Sequence, residues 1–119
     1  MVEYALSKVG CSYVWAASGP DSFDCSGLTM WAYAQAGYSL PHNSQAQCNV
    51  VKSKGNFVTD ASYLTAGDLV FFGSSSTSVT HVGIYIGDGQ FVHASTYGVG
   101  VIVSSLSSRS NFVGGGSPV

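Results

Sequence analysis

The chain has 119 residues, of which 45% are hydrophobic and only 8% charged, with a formal net charge of −2. This is enough for one packed domain and too little for two, and it leaves no basic face for nucleic acid. No apolar run approaches the ~20 residues of a membrane-spanning helix.

Charged residues typically make up ~25% of a globular chain, so the polar surface here must come from Ser, Thr, Asn, Gln and Gly. Such a surface suits secretion or attachment to a larger extracellular chain. The start, Met1-Val2-Glu3-Tyr4, has neither the basic residues nor the long apolar stretch of a secretory leader. A module of a longer secreted chain is the favoured reading, a cytoplasmic protein the other.

Glu3 to Gly10 reads as a short helix stopped by glycine. Tyr13-Val14-Trp15 is β-prone, and Ser18-Gly19-Pro20-Asp21-Ser22 is dense in turn formers. That turn delivers the chain to Phe23-Asp24-Cys25-Ser26-Gly27. A helix is expected next, from Leu28 to a stop at Gly37, apolar nearly all round and therefore buried. Ser44 is placed to cap a second helix running through Gln47 to Val51. Leu69-Val70-Phe71-Phe72 is of strand type, and Gly73 to Thr80 reads as a flexible surface loop. His81–Ile86 and Gln90–Ala94 form two strands joined by Gly87-Asp88-Gly89, a hairpin signal. A further strand is expected over Val99–Val103, and Gly114-Gly115-Gly116-Ser117-Pro118 resembles a flexible linker. The expected domain is therefore 1–113, with a tail over 114–119. Helices first and an antiparallel meander afterwards make the class α+β.

Cys25 carries the chemical interest. A thiol at a helix start faces unpaired N–H groups and the positive end of the macrodipole, which favours the thiolate. A thiol nucleophile needs a base, and the base needs an orienting group. Alternation puts His81, Gly83 and Tyr85 on one strand face and Phe91 with His93 on the next strand, within cross-strand reach. The expected arrangement is a Cys25 thiolate, a His81 imidazolium, and His93 at the far nitrogen of His81. His42, in a loop, is the weakest histidine candidate. The same Cys25, His81 and His93 also make a chemically possible zinc set, but no close Cys or His pair supports it, and neither metal nor cofactor is expected. The other two cysteines, Cys11 and Cys48, are either a disulfide or two buried small hydrophobes.

Seven blocks in order resemble the NlpC/P60 family of cell-wall cysteine peptidases. They are Tyr13–Trp15, Phe23–Leu28, Gly37–Pro41, Ser44–Gln47, Gly67–Phe72, His81–Gly87 and Phe91–Ser95. The resemblance implies a papain-like fold with N-terminal helices on a central antiparallel sheet. It implies Cys25 as nucleophile, His81 as base and His93 as orienter, with substrate contacts at Tyr13, Asp24 and Ser26. The implied substrate is a peptidoglycan stem peptide, cut after D-γ-glutamyl and before meso-diaminopimelate or lysine, by a monomeric enzyme that is secreted or wall-bound. Two rivals keep the scaffold: a related amidase or acyltransferase, and a wall-binding module without activity. Two departures from the family's usual pattern stand beside the site. Ala16-Ala17 replace a frequent pair of glycines, and His42 replaces a frequent arginine.

Overall fold

The computed structural model describes residues 1–119. Three helices, α1 (Val2–Leu6), α2 (Cys25–Gln35) and α3 (Ser44–Ser53), precede the main sheet. Two short strands, β1 (Ser12–Tyr13) and β2 (Ser22–Phe23), pair in parallel ahead of α2. The main sheet contains β3 (Leu69–Ser75), β4 (Ser78–Gly87), β5 (Gln90–Ala94), β6 (Val101–Ser105) and β7 (Phe112–Gly116). Its order is β6-β5-β4-β3-β7, with every pairing antiparallel. The α+β class and the meander from β3 to β6 match the sequence pattern.

Alternation along β3 divides the core. Leu69 and Phe71 face the helices, where Leu28 and Ala32 of α2 meet Val82, Ile84 and Val92. Val70 and Phe72 face the other way, into a smaller cluster with Tyr85, Phe91 and Leu106. The first turns of α2 are buried as expected, but Ala34 and Gln35 at its end are exposed. Gly27 lets α2 approach the preceding loop, since a Cβ there would lie 2.0 Å from the Ala17 carbonyl oxygen.

Several local expectations are corrected. Helix α3 is capped by Asn43, whose side chain accepts from the Ala46 N–H at 2.9 Å, so Ser44 is already its first helical residue. Helix α1 ends at Leu6, four residues before Gly10, and the last meander strand lies at 101–105 rather than 99–103. The serine-rich stretch is a hairpin and not a loose loop. Its tip is fastened to α3, because the Ser76 carbonyl accepts from Gln45 Nε2 at 3.0 Å and Lys52 Nζ at 2.7 Å.

The expected tail over 114–119 is also not free. Gly114–Gly116 are buried in β7, which pairs with β3. A Cβ at Gly116 would lie 2.1 Å from the Asn56 carbonyl oxygen, so these glycines permit close backbone approach. The packed domain therefore extends past residue 113. Cys11, Cys25 and Cys48 are all free thiols, and Cys48 is buried in the helix-side core.

Candidate active site

Asp24 starts the site. Its backbone is extended, and its side chain caps α2 by accepting from the Gly27 N–H at 2.6 Å. Cys25 is thereby held at the first position of a helix that is anchored on the sheet. Asp24 does more than cap. Oδ2 accepts from the Ala16 N–H at 3.1 Å, and Oδ1 lies 2.8 Å from His42 Nε2. The carboxylate thus ties together the loop after β1, the start of α2 and the loop before α3. Ala16 takes a left-handed backbone, φ 64°, a conformation that costs any residue with a Cβ. Beyond Ala16, the Tyr97 hydroxyl accepts from the Trp15 N–H at 2.8 Å, and its ring packs edge-on against Tyr13 with centroids 4.9 Å apart.

One cleft of roughly 430 Å³ collects Tyr13, Asp24, Cys25, Ser26 and His81. His42 lines it too, so the histidine that looked least useful in the sequence stands in the site. His93 does not reach the cleft. It is 1% exposed and lies behind His81, with His93 Nδ1 2.8 Å from His81 Nε2. The other nitrogen of His93 lies 2.9 Å from Ser104 Oγ on β6. Gly83 makes room for this contact: a Cβ there would stand 2.7 Å from Phe91 Cδ2 and 3.1 Å from His93 Cβ.

The resting charge state differs from the expected ion pair. Burial pushes the Cys25 thiol above its ordinary value, and Asp24 adds to the rise. The backbone N–H groups of Val82, Ser26 and Cys25 oppose that shift without cancelling it. The helix start therefore helps the thiolate less than desolvation hurts it. Burial, then His93 and Arg109, holds His81 down at about 3. Burial and Arg109 hold His93 at about 4. At neutral pH the site consists of a thiol and two neutral imidazoles. Tyr13 is pushed up by burial first, then by Cys25, Asp24 and Tyr97, so it remains an O–H donor. The hydrogen bond of the His81 ring runs to His93 and not to the thiol. No group of three or more His, Cys, Asp or Glu side chains converges as a metal site.

Residues 10–111 match the NlpC/P60 family. The chain belongs to the NlpC/P60 family. Over 108 residues this NlpC/P60 domain is 47% identical to a probable endopeptidase of Mycobacterium tuberculosis, covering 91% of this chain and 26% of that protein. Over 102 residues it is 39% identical to the bifunctional muramidase/DL-endopeptidase CwlT of Bacillus subtilis, covering 83% of this chain and 30% of that protein. The domain thus spans less than a third of the length of these relatives. Among solved structures, NlpC2 of Trichomonas vaginalis superposes with a TM-score of 0.85 at 39% identity, over 98% of this chain and 45% of that one. The NlpC/p60 domain of the peptidoglycan hydrolase SagA gives a TM-score of 0.85 at 34% identity, over 98% of this chain and 94% of that one.

The sequence singled out six residues for the NlpC/P60 site. Five of them line the cleft, and the sixth, His93, stands directly behind it. The Asp24–His42 pair and Ser104 were missed. His42 carried a signal only through the family pattern, where it stands in place of a frequent arginine just before Asn43, the cap of α3. Ser104 carried none, because one serine in a Ser-rich strand is unmarked until its register is known.

Proposed function

We propose that this domain is a cysteine endopeptidase that hydrolyses peptidoglycan stem peptides, with Cys25 as nucleophile, His81 as general base and then acid, and His93 orienting His81. One observation carries the reading. The thiol at the start of α2 and the His81 ring face one cleft, and the far nitrogen of His81 is held by a sealed second histidine. Relatives named as endopeptidases and peptidoglycan hydrolases support the same class.

Because the resting thiol is neutral, its proton leaves during attack. Cys25 Sγ bonds to the scissile carbonyl carbon while His81 takes the thiol proton. The developing oxyanion finds the backbone N–H groups of Cys25 and Ser26, which already favour negative charge on Sγ, and the Tyr13 hydroxyl in the same cleft. Collapse of the tetrahedral adduct breaks the C–N bond, and His81 passes the proton to the departing amine. A thioester remains. His81 then removes a proton from water, hydroxide adds to the thioester, and the thiolate leaves and regains that proton. Ser26 and Tyr13 flank the reacting carbonyl as substrate contacts. Asp24 acts on the substrate mainly through the loop and the His42 ring that its oxygens hold.

The assigned bond is D-γ-glutamyl–diamino acid, a D–L junction in keeping with the DL-endopeptidase in the name of CwlT. The low charge supports action outside the cell, and relatives of which the domain spans less than a third fit a monomeric module of a longer secreted chain. Digestion of defined muropeptides, containing either D-glutamyl–diaminopimelate or D-glutamyl–lysine, tests the assignment by mass spectrometry. The expected products end in D-glutamate and begin with a free diamino acid. Release of the sugar from L-alanine would make the domain an amidase, and intact muropeptides would argue for a binding module.

A further inference from the structure

His93 is sealed from water, and its two ring nitrogens meet only two groups, His81 Nε2 at 2.8 Å and Ser104 Oγ at 2.9 Å. The three side chains form a line across adjacent strands β4, β5 and β6. Ser104 pairs directly with Phe91, one diagonal step along the same face from His93, which itself pairs with Ile102. A neutral imidazole carries one proton, so the line has two neutral settings. In the first, His93 Nε2–H donates to Ser104 Oγ, His93 Nδ1 accepts from His81 Nε2–H, and His81 Nδ1 is a bare lone pair. In the second, the Ser104 hydroxyl donates to His93 Nε2, His93 Nδ1–H donates to His81 Nε2, and His81 Nδ1 carries the proton. With Nε2 turned to His93, Nδ1 is the His81 nitrogen left for the thiol. Only the first setting leaves it able to take a proton.

We propose that Ser104 is a positioning residue, a fourth member of the line, whose oxygen accepts from His93 Nε2–H and so fixes the tautomer that leaves His81 Nδ1 basic. Ser104 suits this role because it is only partly buried. Its own O–H can turn to solvent while its lone pairs serve His93, so the first setting leaves no donor unpaired. Loss of the hydroxyl orphans a buried N–H in the first setting and only a lone pair in the second. Ser104→Ala therefore shifts both histidines toward the unproductive tautomers. The catalytic consequence rests on the proposed roles of Cys25 and His81, but the tautomers do not.

The test has two readouts. Nitrogen-15 shifts and couplings of the histidine rings, recorded on the wild-type protein at pH 7, are expected to show a protonated Nε2 and bare Nδ1 for both His81 and His93. Protonated Nδ1 on His93 overturns the proposal, whether or not the protein cuts peptidoglycan. On muropeptide substrate, Ser104→Ala is expected to lower kcat by about tenfold or more, because the wrong His81 tautomer cannot take the thiol proton, with KM within about twofold of wild type. Ser104→Thr, which keeps the hydroxyl, should restore kcat. A folded Ser104→Ala protein with wild-type kcat and wild-type histidine tautomers would also overturn it. Should Ser104→Ala fail to fold, the wild-type spectrum still decides.

Discussion

Asp24→Ala tests whether the carboxylate is the knot that holds the cleft together. The substitution removes the α2 cap, worth about 1 kcal/mol, and leaves the buried Gly27 N–H without its 2.6 Å partner. It also leaves the Ala16 N–H without its acceptor, a further cost of about 1 kcal/mol for a hydrogen bond to a charged group. The His42 pairing adds a few tenths at most, since that ring is 29% exposed and the ion pair exists only when it is protonated. The total is about 2–3 kcal/mol, or a fall in Tm of about 10 °C for a domain of 119 residues. Asp24→Asn keeps an oxygen for the cap and should lose no more than about 1 kcal/mol. Urea unfolding followed by circular dichroism, with equal m-values, gives both numbers. An alanine variant within about 0.5 kcal/mol of wild type would refute the knot, as would an asparagine variant no better than alanine.

Further outcomes follow from the histidine line. His81 and His93 are held at about 3 and about 4 in the folded protein, both below the ordinary value near 6.5. The unfolded chain therefore takes up protons first as pH falls. Stability contributed by these rings is full above about pH 6.5 and is lost toward pH 4, with a slope of up to ~1.4 kcal/mol per pH unit for each ring. Urea midpoints between pH 7 and pH 4 check this, and a shallower profile in the His81→Gln, His93→Gln double variant assigns it. Arg109→Ala should raise both histidines and move the acid limb of kcat/KM to higher pH, because the Arg109 charge contributes to both depressions. Gly83→Ala places a Cβ 2.9 Å from the Val92 carbonyl oxygen as well as against the Phe91 and His93 side chains. It should cost about 1–3 kcal/mol and part the two histidines, seen as a loss of both unfolding free energy and kcat.

Local pattern read the parts of the molecule that depend on chain-neighbour physics. The helix start at Cys25, the Gly87-Asp88-Gly89 turn and the alternation along β4 and β5 are set within a few residues, and the histidine pair followed from the last two. Failures came where distant backbone decided the outcome. Gly114–Gly116 look like a linker, but they are glycines because residues 56–58 and β3 press against them. The stretch 73–80 looks loose, but α3 reaches across to tie its tip. The Cys25 thiol looked activated by its helix, and burial, which no short window reveals, reversed the balance. The pairing of His42 with Asp24 and of Ser104 with His93 spans 18 and 11 residues, and neither contact is visible until the elements are folded.

The proposed reaction depends on Cys25 as nucleophile and on His81 to take its proton. Cleavage of purified peptidoglycan peptides by wild type, Cys25→Ala and His81→Ala, all verified as folded, tests it most directly. Both variants should lose at least about 10³-fold in rate. Wild-type rates from folded Cys25→Ala would contradict it.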